Sequence, residues 1–264
     1  MSRPLVLCYH GVSDRWQDPL GMPPRSLEAQ VRWILRRRYR PATAEEVALG
    51  GGRTMHVTFD DAFRNVRGAV PMLRRMGVPM TVFACTAYAV DGRPLDVPEL
   101  RLAVASEPQE MRTLTFPELA ELQAQGVEVG SHSCTHPHLT QLTDRELRRE
   151  VWESRECVRD HLGAHCRFFA YPYGEHDERV RAAVAAAGYA AAFALPGDPR
   201  SGDRFQIPRV GLWRKDGLLA ATVKTTALGK RLSVSRRWRR RSRLPRPAPP
   251  ATSRSGDESR RLRP

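Results

Sequence analysis

Two aspartates and two histidines in this sequence could together hold a metal ion and assist a hydrolysis. Asp60 and Asp61 are adjacent, and His132 and His136 are four positions apart. Two histidines with one carboxylate are a common ligand set for zinc and other divalent ions. The residue after His136 is a proline, which disfavours helical geometry for that histidine. The spacing therefore predicts a pair of ligands on a loop that curls around the ion.

The adjacent aspartates predict a division of labour. Side chains alternate in direction along a strand, so Asp60 and Asp61 cannot point the same way. One would bind the metal, and the other would face water activated by the metal and take its proton as a base. The alternative is a pair of solvated turn residues or a helix N-cap. The apolar strand sequence that precedes them, Val57-Thr-Phe59, favours the buried site.

The elements that must position these residues are strands alternating with helices. Polar groups follow apolar strand sequences in four places: Tyr9-His10, Asp60-Asp61, His132 to His136, and Tyr171-Pro-Tyr-Gly174. In parallel α/β folds the carboxyl ends of the strands share one face, which carries the active site. About seven strands in roughly 220 residues fit either a barrel or a doubly wound sheet.

Helix signals agree with this alternation. Apolar spacing predicts a helix over 25–38 with Ser26 as its N-cap, and another over 69–76. A long helix that ends near Leu162 is predicted to begin at Thr143, with Glu146 completing a capping box. These helices would cover the outside of the sheet.

The net charge of +14 belongs mainly to the last part of the chain. Residues 230–264 contain 13 Lys or Arg against two acids, which leaves only +3 for the rest. We therefore expect a catalytic domain over 1–229 and an Arg/Pro/Ser-rich tail over 230–264, disordered for the most part. The tail is predicted to contact anionic lipid or polymer, and no specific nucleic-acid binding is expected.

The cysteines and the first residues of the sequence indicate the cellular compartment of the protein. The five cysteines are odd in number and lack CxxC spacing, which favours a reducing compartment. The opening sequence has no signal-peptide pattern, so a cytoplasmic location is expected, with peripheral membrane association left open.

Three motifs carry a resemblance to a known family. In order along the chain they are Thr58-Phe-Asp-Asp61, His132-Ser-Cys-Thr-His136 and Tyr171-Pro-Tyr-Gly174. They resemble motifs of the polysaccharide deacetylases, that is, carbohydrate esterase family four with its NodB homology domain. The opening Tyr9-His-Gly-Val12 is similar to a subgroup that acts on exopolysaccharides such as poly-N-acetylglucosamine. The resemblance covers about residues 3–215.

The resemblance implies a fold and a set of roles. The fold would be a distorted (β/α) barrel of about seven parallel strands. Asp61, His132 and His136 would hold the metal, with zinc as the expected ion, and Asp60 would be the general base. The backbone N–H of Tyr173 would hold the oxyanion. The reaction would be hydrolysis of a linear amide, removing N-acetyl groups from an N-acetylhexosamine polysaccharide.

The sequence departs from the family pattern twice. Ala170 stands where the third motif usually has an arginine that orients the base, and Arg209 is the candidate substitute. The usual late Leu-x-His, which supplies a general acid, is absent. His10 is the candidate acid, because the first and last strands of a closed barrel are neighbours.

Other readings of the same residues stay open. A metal-containing glycan-binding module without catalysis is one alternative, and a metal-dependent amidase for a small molecule is another. Trp213 and Tyr173 are candidates for stacking on sugar rings. The segments 13–24 and 91–110 are predicted to form flaps over the substrate groove.

Overall fold

The computed structural model describes residues 4–50, 52–163, 166–198, 201–226 and 229. The predicted tail, 230–264, lies outside these described residues. Ten strands occur within them. They are β1 (Leu5–Tyr9), β2 (Gly11–Val12), β3 (Gly21–Met22), β4 (Arg40–Pro41), β5 (Thr54–Phe59), β6 (Met80–Ala84), β7 (Glu128–Ser131), β8 (Phe168–Ala170), β9 (Ala191–Ala194) and β10 (Ile207–Gly211).

Seven of the strands close into a parallel barrel. The first strand, β1, pairs with β5 on one side and with β10 on the other, and the ring runs on through β6, β7, β8 and β9. The short β4 lies beside β5, and β2 pairs with β3 outside the ring. This closure confirms the predicted barrel and excludes the doubly wound sheet. It also makes the first and last strands neighbours, as expected for a closed ring.

Three buried aromatic side chains pack together within the barrel. Phe83 and Phe168 lie 5.5 Å and 6.1 Å from Phe193, ring centre to ring centre, and all three are buried. The Arg209 guanidinium lies 5.6 Å from the centre of the Phe83 ring. The barrel is therefore a packed core, as expected for a (β/α) barrel, and the charged Arg209 lies next to its aromatic cluster.

Helices cover the outside of the barrel. Within the described residues they are α1 (Pro24–Arg36), α2 (Ala44–Ala48), α3 (Val70–Arg75), α4 (Thr86–Ala89), α5 (Arg101–Ser106), α6 (Phe116–Ala124), α7 (Asp144–Leu162), α8 (Glu178–Ala186) and α9 (Leu218–Lys224). The predicted capping box at the start of α7 is present, because Thr143 and Glu146 bond each other's backbone N–H. None of these helices is long and apolar enough to cross a bilayer.

Two helix starts differ from the sequence prediction. The first helix begins at Pro24, and Ser26 lies in its first turn and is not the N-cap. A proline at the first helical position has no N–H to leave unbonded, so it begins the helix readily. The helix predicted over 69–76 is α3, which begins at Val70 after a 3₁₀ turn over Arg64–Ala69. Pro71 is tolerated there because it lies in the first turn.

A second apolar cluster lies beneath the segments predicted as flaps. It includes Trp16 and Leu20 from the first segment and Leu95, Val97 and Leu100 from the second. Polar contacts also connect the segments, since the Ser13 hydroxyl donates to Glu110 at 3.0 Å. The two segments are thus packed on the barrel and on each other. Whether they cover a bound polymer stays a prediction.

Candidate active site

Three predicted ligand atoms converge at the carboxyl end of the barrel. Oδ1 of Asp61 lies 3.5 Å from Nε2 of His132 and 3.4 Å from Nε2 of His136. All three residues are buried, and Asp61 Oδ1 has no hydrogen-bond donor among the described residues. A buried carboxylate oxygen without a donor is unfavourable unless something else satisfies it. The arrangement fits a bound cation.

The ionisation of these side chains also fits a cation. The pKa of His132 and that of His136 are both lowered, by burial first, so both rings are neutral and their lone pairs are available. Burial, and then the charge of Asp60, raise the pKa of Asp61. A divalent ion would offset both causes and keep Asp61 ionised. Nitrogen and carboxylate donors of this kind suit zinc.

A backbone carbonyl fixes the tautomer of His132. Its Nδ1 lies 2.7 Å from the carbonyl oxygen of Ala170. A carbonyl can only accept, so Nδ1 carries the proton and Nε2 presents its lone pair to Asp61. Ala170 is the residue that stands where the family has an arginine. Its backbone thus contributes to the site although its side chain does not.

The loop that carries His136 has a strained backbone held by a distant acid. Ser133 and His136 have φ values of 68° and 62°, in the left-handed region. Glu150 on α7 accepts hydrogen bonds from the N–H groups of Cys134 and Thr135, at 2.8 and 2.9 Å. Such strain persists where neighbouring groups hold it in place. Sequence reasoning missed Glu150, because an acid in the middle of a helix gives no signal of this contact.

Asp60 is held by Arg209 through two hydrogen bonds. The guanidinium donates to the two carboxylate oxygens at 2.6 and 2.8 Å, and both side chains are buried. Burial by itself would raise the pKa of Asp60, but the Arg209 charge beside it holds that pKa below its usual range. Register explains the contact: β1 lies between β5, which ends beside Asp60, and β10, which carries Arg209. Arg209 is thus placed where the substitute for the missing arginine was expected.

His10 lies at the same rim and stacks on an aromatic ring. Its centre is 5.0 Å from that of the Trp213 ring system, with an interplanar angle of 25°. Its Nδ1 is buried and has no partner among the described residues. Burial lowers the pKa of His10 to about 4, so the ring is neutral near pH 7. The stacking also occupies a face of Trp213 that was predicted to meet a sugar.

Cys8, His10 and Asp60 form a second group of ligand-type atoms, which lie within 4.8 Å of one another. This group suits a cation poorly, because both oxygens of Asp60 already accept from Arg209. The positive guanidinium would also repel an ion placed there. The first group is therefore the candidate metal centre.

Tyr173 follows the third motif proline and has a left-handed backbone, with φ 56° and ψ 5°. Its ring meets that of His136 edge-on at 4.5 Å, and His138 stacks on it at 3.9 Å. Its hydroxyl donates to Glu99 at 2.7 Å. His138 therefore covers the face of Tyr173 that was predicted to stack on a sugar. Four of the six non-glycine residues with positive φ in the described chain lie in the three motifs, namely Asp61, Ser133, His136 and Tyr173, and a fifth, Ala62, directly follows the first motif.

Comparisons with known proteins agree with this geometry. A family model described as polysaccharide deacetylase matches residues 50–192. YxkH of Bacillus subtilis is 22% identical over 192 residues, which are 70% of this chain and 61% of that protein. The chitooligosaccharide deacetylase of Sinorhizobium fredii is 31% identical over 144 residues, 53% of this chain and 56% of that protein. The chain thus spans less than two thirds of the length of these relatives.

Solved structures support the fold. IcaB from Ammonifex degensii superposes with a TM-score of 0.69 and 23% identity, over 87% of this chain and 98% of that one. The likeness shows a shared barrel, and the family model covers the first two motifs and the third. This chain therefore belongs to the polysaccharide deacetylase family.

Proposed function

We propose that this chain hydrolyses N-acetyl groups of an N-acetylhexosamine polysaccharide with the help of a divalent metal ion. The observation that carries the proposal is the convergence of Asp61, His132 and His136 beside a carboxylate, Asp60, that Arg209 orients and keeps ionised. A module that only binds glycan would need the ligands and not the oriented base. The family and its relatives support an acetylated sugar as substrate.

The side chains divide the work as follows. Asp61, His132 and His136 would hold the ion, and zinc is the ion we propose. When bound, such an ion acts as a Lewis acid and makes a coordinated water more acidic. Asp60 accepts the proton that the attacking water gives up, and Arg209 fixes the direction of its lone pairs. The same two hydrogen bonds that orient Asp60 also lower its basicity.

Two further groups complete the proposed reaction. The Tyr173 N–H donates to the oxyanion of the tetrahedral intermediate, where negative charge develops. His10 is neutral at rest, so it would receive the proton that Asp60 took from the water and then give it to the leaving amine. A ring nitrogen of His10 lies within 4.8 Å of an Asp60 oxygen, which suits it to such a transfer, and its Nδ1 is buried without a partner among the described residues.

The test of the proposed function is acetate release from partially N-acetylated glucosamine oligomers. We expect release by the full chain, loss of release with a chelator, and recovery when zinc is added. Small N-acetyl amides serve as the comparison, and faster turnover of these would favour the amidase reading. No release from either substrate class by the zinc-loaded chain would overturn the proposal.

A substitution at His10 separates its chemistry from its packing. His10→Phe keeps a ring to stack on Trp213 but removes both nitrogens. We expect kcat to fall by about a hundredfold, with little change in thermal stability, because Nδ1 has no partner to lose. Acetate release and thermal unfolding would be measured side by side. Full activity of this variant would remove His10 from the mechanism.

We also propose that the basic segment 230–264 contacts an anionic lipid surface together with α9. Leu219 and Val223 on α9 are 79% and 52% exposed, and the basic segment begins six residues after that helix ends. Apolar side chains next to many cations are typical of interfacial binding. Serines at Leu219 and Val223 should weaken binding to phosphatidylglycerol vesicles, whereas serines at the exposed Leu102 and Val90 should not. Equal effects of the two pairs would contradict this proposal.

A further inference from the structure

Glu99 lies at the centre of a polar network beside the candidate metal centre. It belongs to a 3₁₀ turn over Pro98–Leu100, within the segment between β6 and β7, and its side chain is only 10% exposed. One carboxylate oxygen accepts from the Tyr173 hydroxyl at 2.7 Å, and the other lies 3.3 Å from Nε2 of His138. On the far side, Nδ1 of His138 lies 3.0 Å from Glu175.

Glu99 and His138 hold the side chain of Tyr173, whose backbone is strained. A non-glycine residue in the left-handed region costs about 1–2 kcal/mol, and Tyr173 is such a residue. It is followed by Gly174, also left-handed, where an added Cβ would lie only 1.7 Å from the Leu195 carbonyl oxygen. The turn is thus packed against backbone on one side. On the other side, Tyr173 is held by Glu99 at its hydroxyl and by His138 at its ring face.

The contact has no evident purpose in the stability of the barrel. Glu99 belongs to a segment that its own apolar cluster already anchors, through Leu95, Val97 and Leu100. A carboxylate that is nearly buried must lose hydration, and burial opposes its ionisation. Its hydrogen bonds from Tyr173 and His138 still keep its pKa below the usual range. The bonds therefore keep a charged group in a largely buried place beside Tyr173.

We propose that Glu99 is a positioning residue for Tyr173, acting through the tyrosine hydroxyl to hold the backbone N–H of that residue where the oxyanion forms. The inference rests on the proposed function, and it assigns a role in that reaction to the segment between β6 and β7. Displacement of a reacting group by about 1 Å can lower a rate about a hundredfold. Loss of the Glu99 contact should thus affect the transition state far more than substrate binding.

The experiment compares Glu99→Ala, Glu99→Gln and Tyr173→Phe in the full chain. Glutamine keeps an oxygen of the same reach and should retain most activity. Alanine and Tyr173→Phe each remove the same hydrogen bond from opposite ends. We expect both to lower kcat by about tenfold to a hundredfold on glucosamine oligomers, with KM and zinc affinity unchanged. The double variant should be no worse than either single one.

A matched control and a second readout distinguish positioning from general damage. Glu175→Ala removes the other carboxylate beside His138 but leaves the bond between Glu99 and Tyr173, so its kcat should stay near the wild-type value. A methylphosphonamidate of a glucosamine oligomer imitates the tetrahedral intermediate. Its affinity should fall in the Glu99→Ala variant by the same factor as kcat/KM.

Several results would overturn the role of Glu99. They are an unchanged kcat in Glu99→Ala, an equal loss in Glu175→Ala, additive losses in the double variant, or an unchanged affinity for the phosphonamidate. If the wild type releases no acetate, the proposed function is wrong. The positioning role of Glu99 would then be tested by the phosphonamidate affinity alone. Tyr173→Phe provides the same test if Glu99→Ala does not fold.

Discussion

The Asp60→Asn variant is expected to release acetate about a thousandfold more slowly than the wild type. An amide cannot take a proton from water, whereas the Asp60 carboxylate lies at the candidate metal centre and is kept ionised by Arg209. Zinc affinity should change little, because the proposed ligand atoms belong to Asp61, His132 and His136. Acetate release and calorimetric zinc titration on the same preparations would measure both quantities.

The exposed Asp160 provides the matched control for this substitution. Its side chain is 63% exposed on α7, so Asp160→Asn should leave both acetate release and zinc affinity unchanged. Comparing the wild type with Asp60→Asn also distinguishes an enzyme from a non-catalytic glycan-binding module. If the wild type and Asp60→Asn are equally inactive while both bind zinc and glycan, the module reading replaces the enzyme. A variant with full activity would show that another group is the base.

The Arg209→Met variant is expected to lose about 3–5 kcal/mol of unfolding free energy near pH 7. Methionine fills the space next to Phe83 but leaves the Asp60 charge buried without its partner. Acetate release should fall as well, since nothing then orients the base. Urea unfolding at several pH values would measure the loss.

The pH dependence of this loss follows from the pKa of Asp60. In the wild type that pKa is lowered in the folded state, so the pair stabilises the fold above the unfolded pKa of about 4 and loses this contribution as the pH falls through the folded value. In Arg209→Met, burial raises the same pKa, so acid neutralises the unpaired charge and relieves the penalty. The difference in unfolding free energy between the wild type and Arg209→Met should therefore be largest near neutral pH and should become smaller in acid.

Two companion variants make the Arg209 prediction specific. Arg209→Lys keeps the charge but cannot donate to both oxygens at once, so it should lose less stability and still lose activity. The double variant Asp60→Asn with Arg209→Met removes both charges and should recover much of the lost stability. A loss below about 1 kcal/mol in Arg209→Met would mean that the pair contributes no more than a surface ion pair.

The sequence by itself determined the alternation of strands with helices and which polar residues follow the strand ends. The capping box of α7 is where the spacing of Thr143 and Glu146 placed it. These features depend on residues a few positions apart, so local patterns are sufficient to predict them. The same is true of the loop position of His136, because Pro137 follows it directly.

Only the tertiary structure decided which distant groups meet. Asp60 and Arg209 are 149 positions apart, and their contact depends on the closure of the barrel and on the register of β10 against β1. Glu99 and Glu150 reach the site from a surface segment and from a helix, and neither position carries a local pattern. The lowered pKa of His10 likewise depends on its burial in the folded chain. Burial and register are properties of the whole packed chain, so no local pattern in the sequence predicts them.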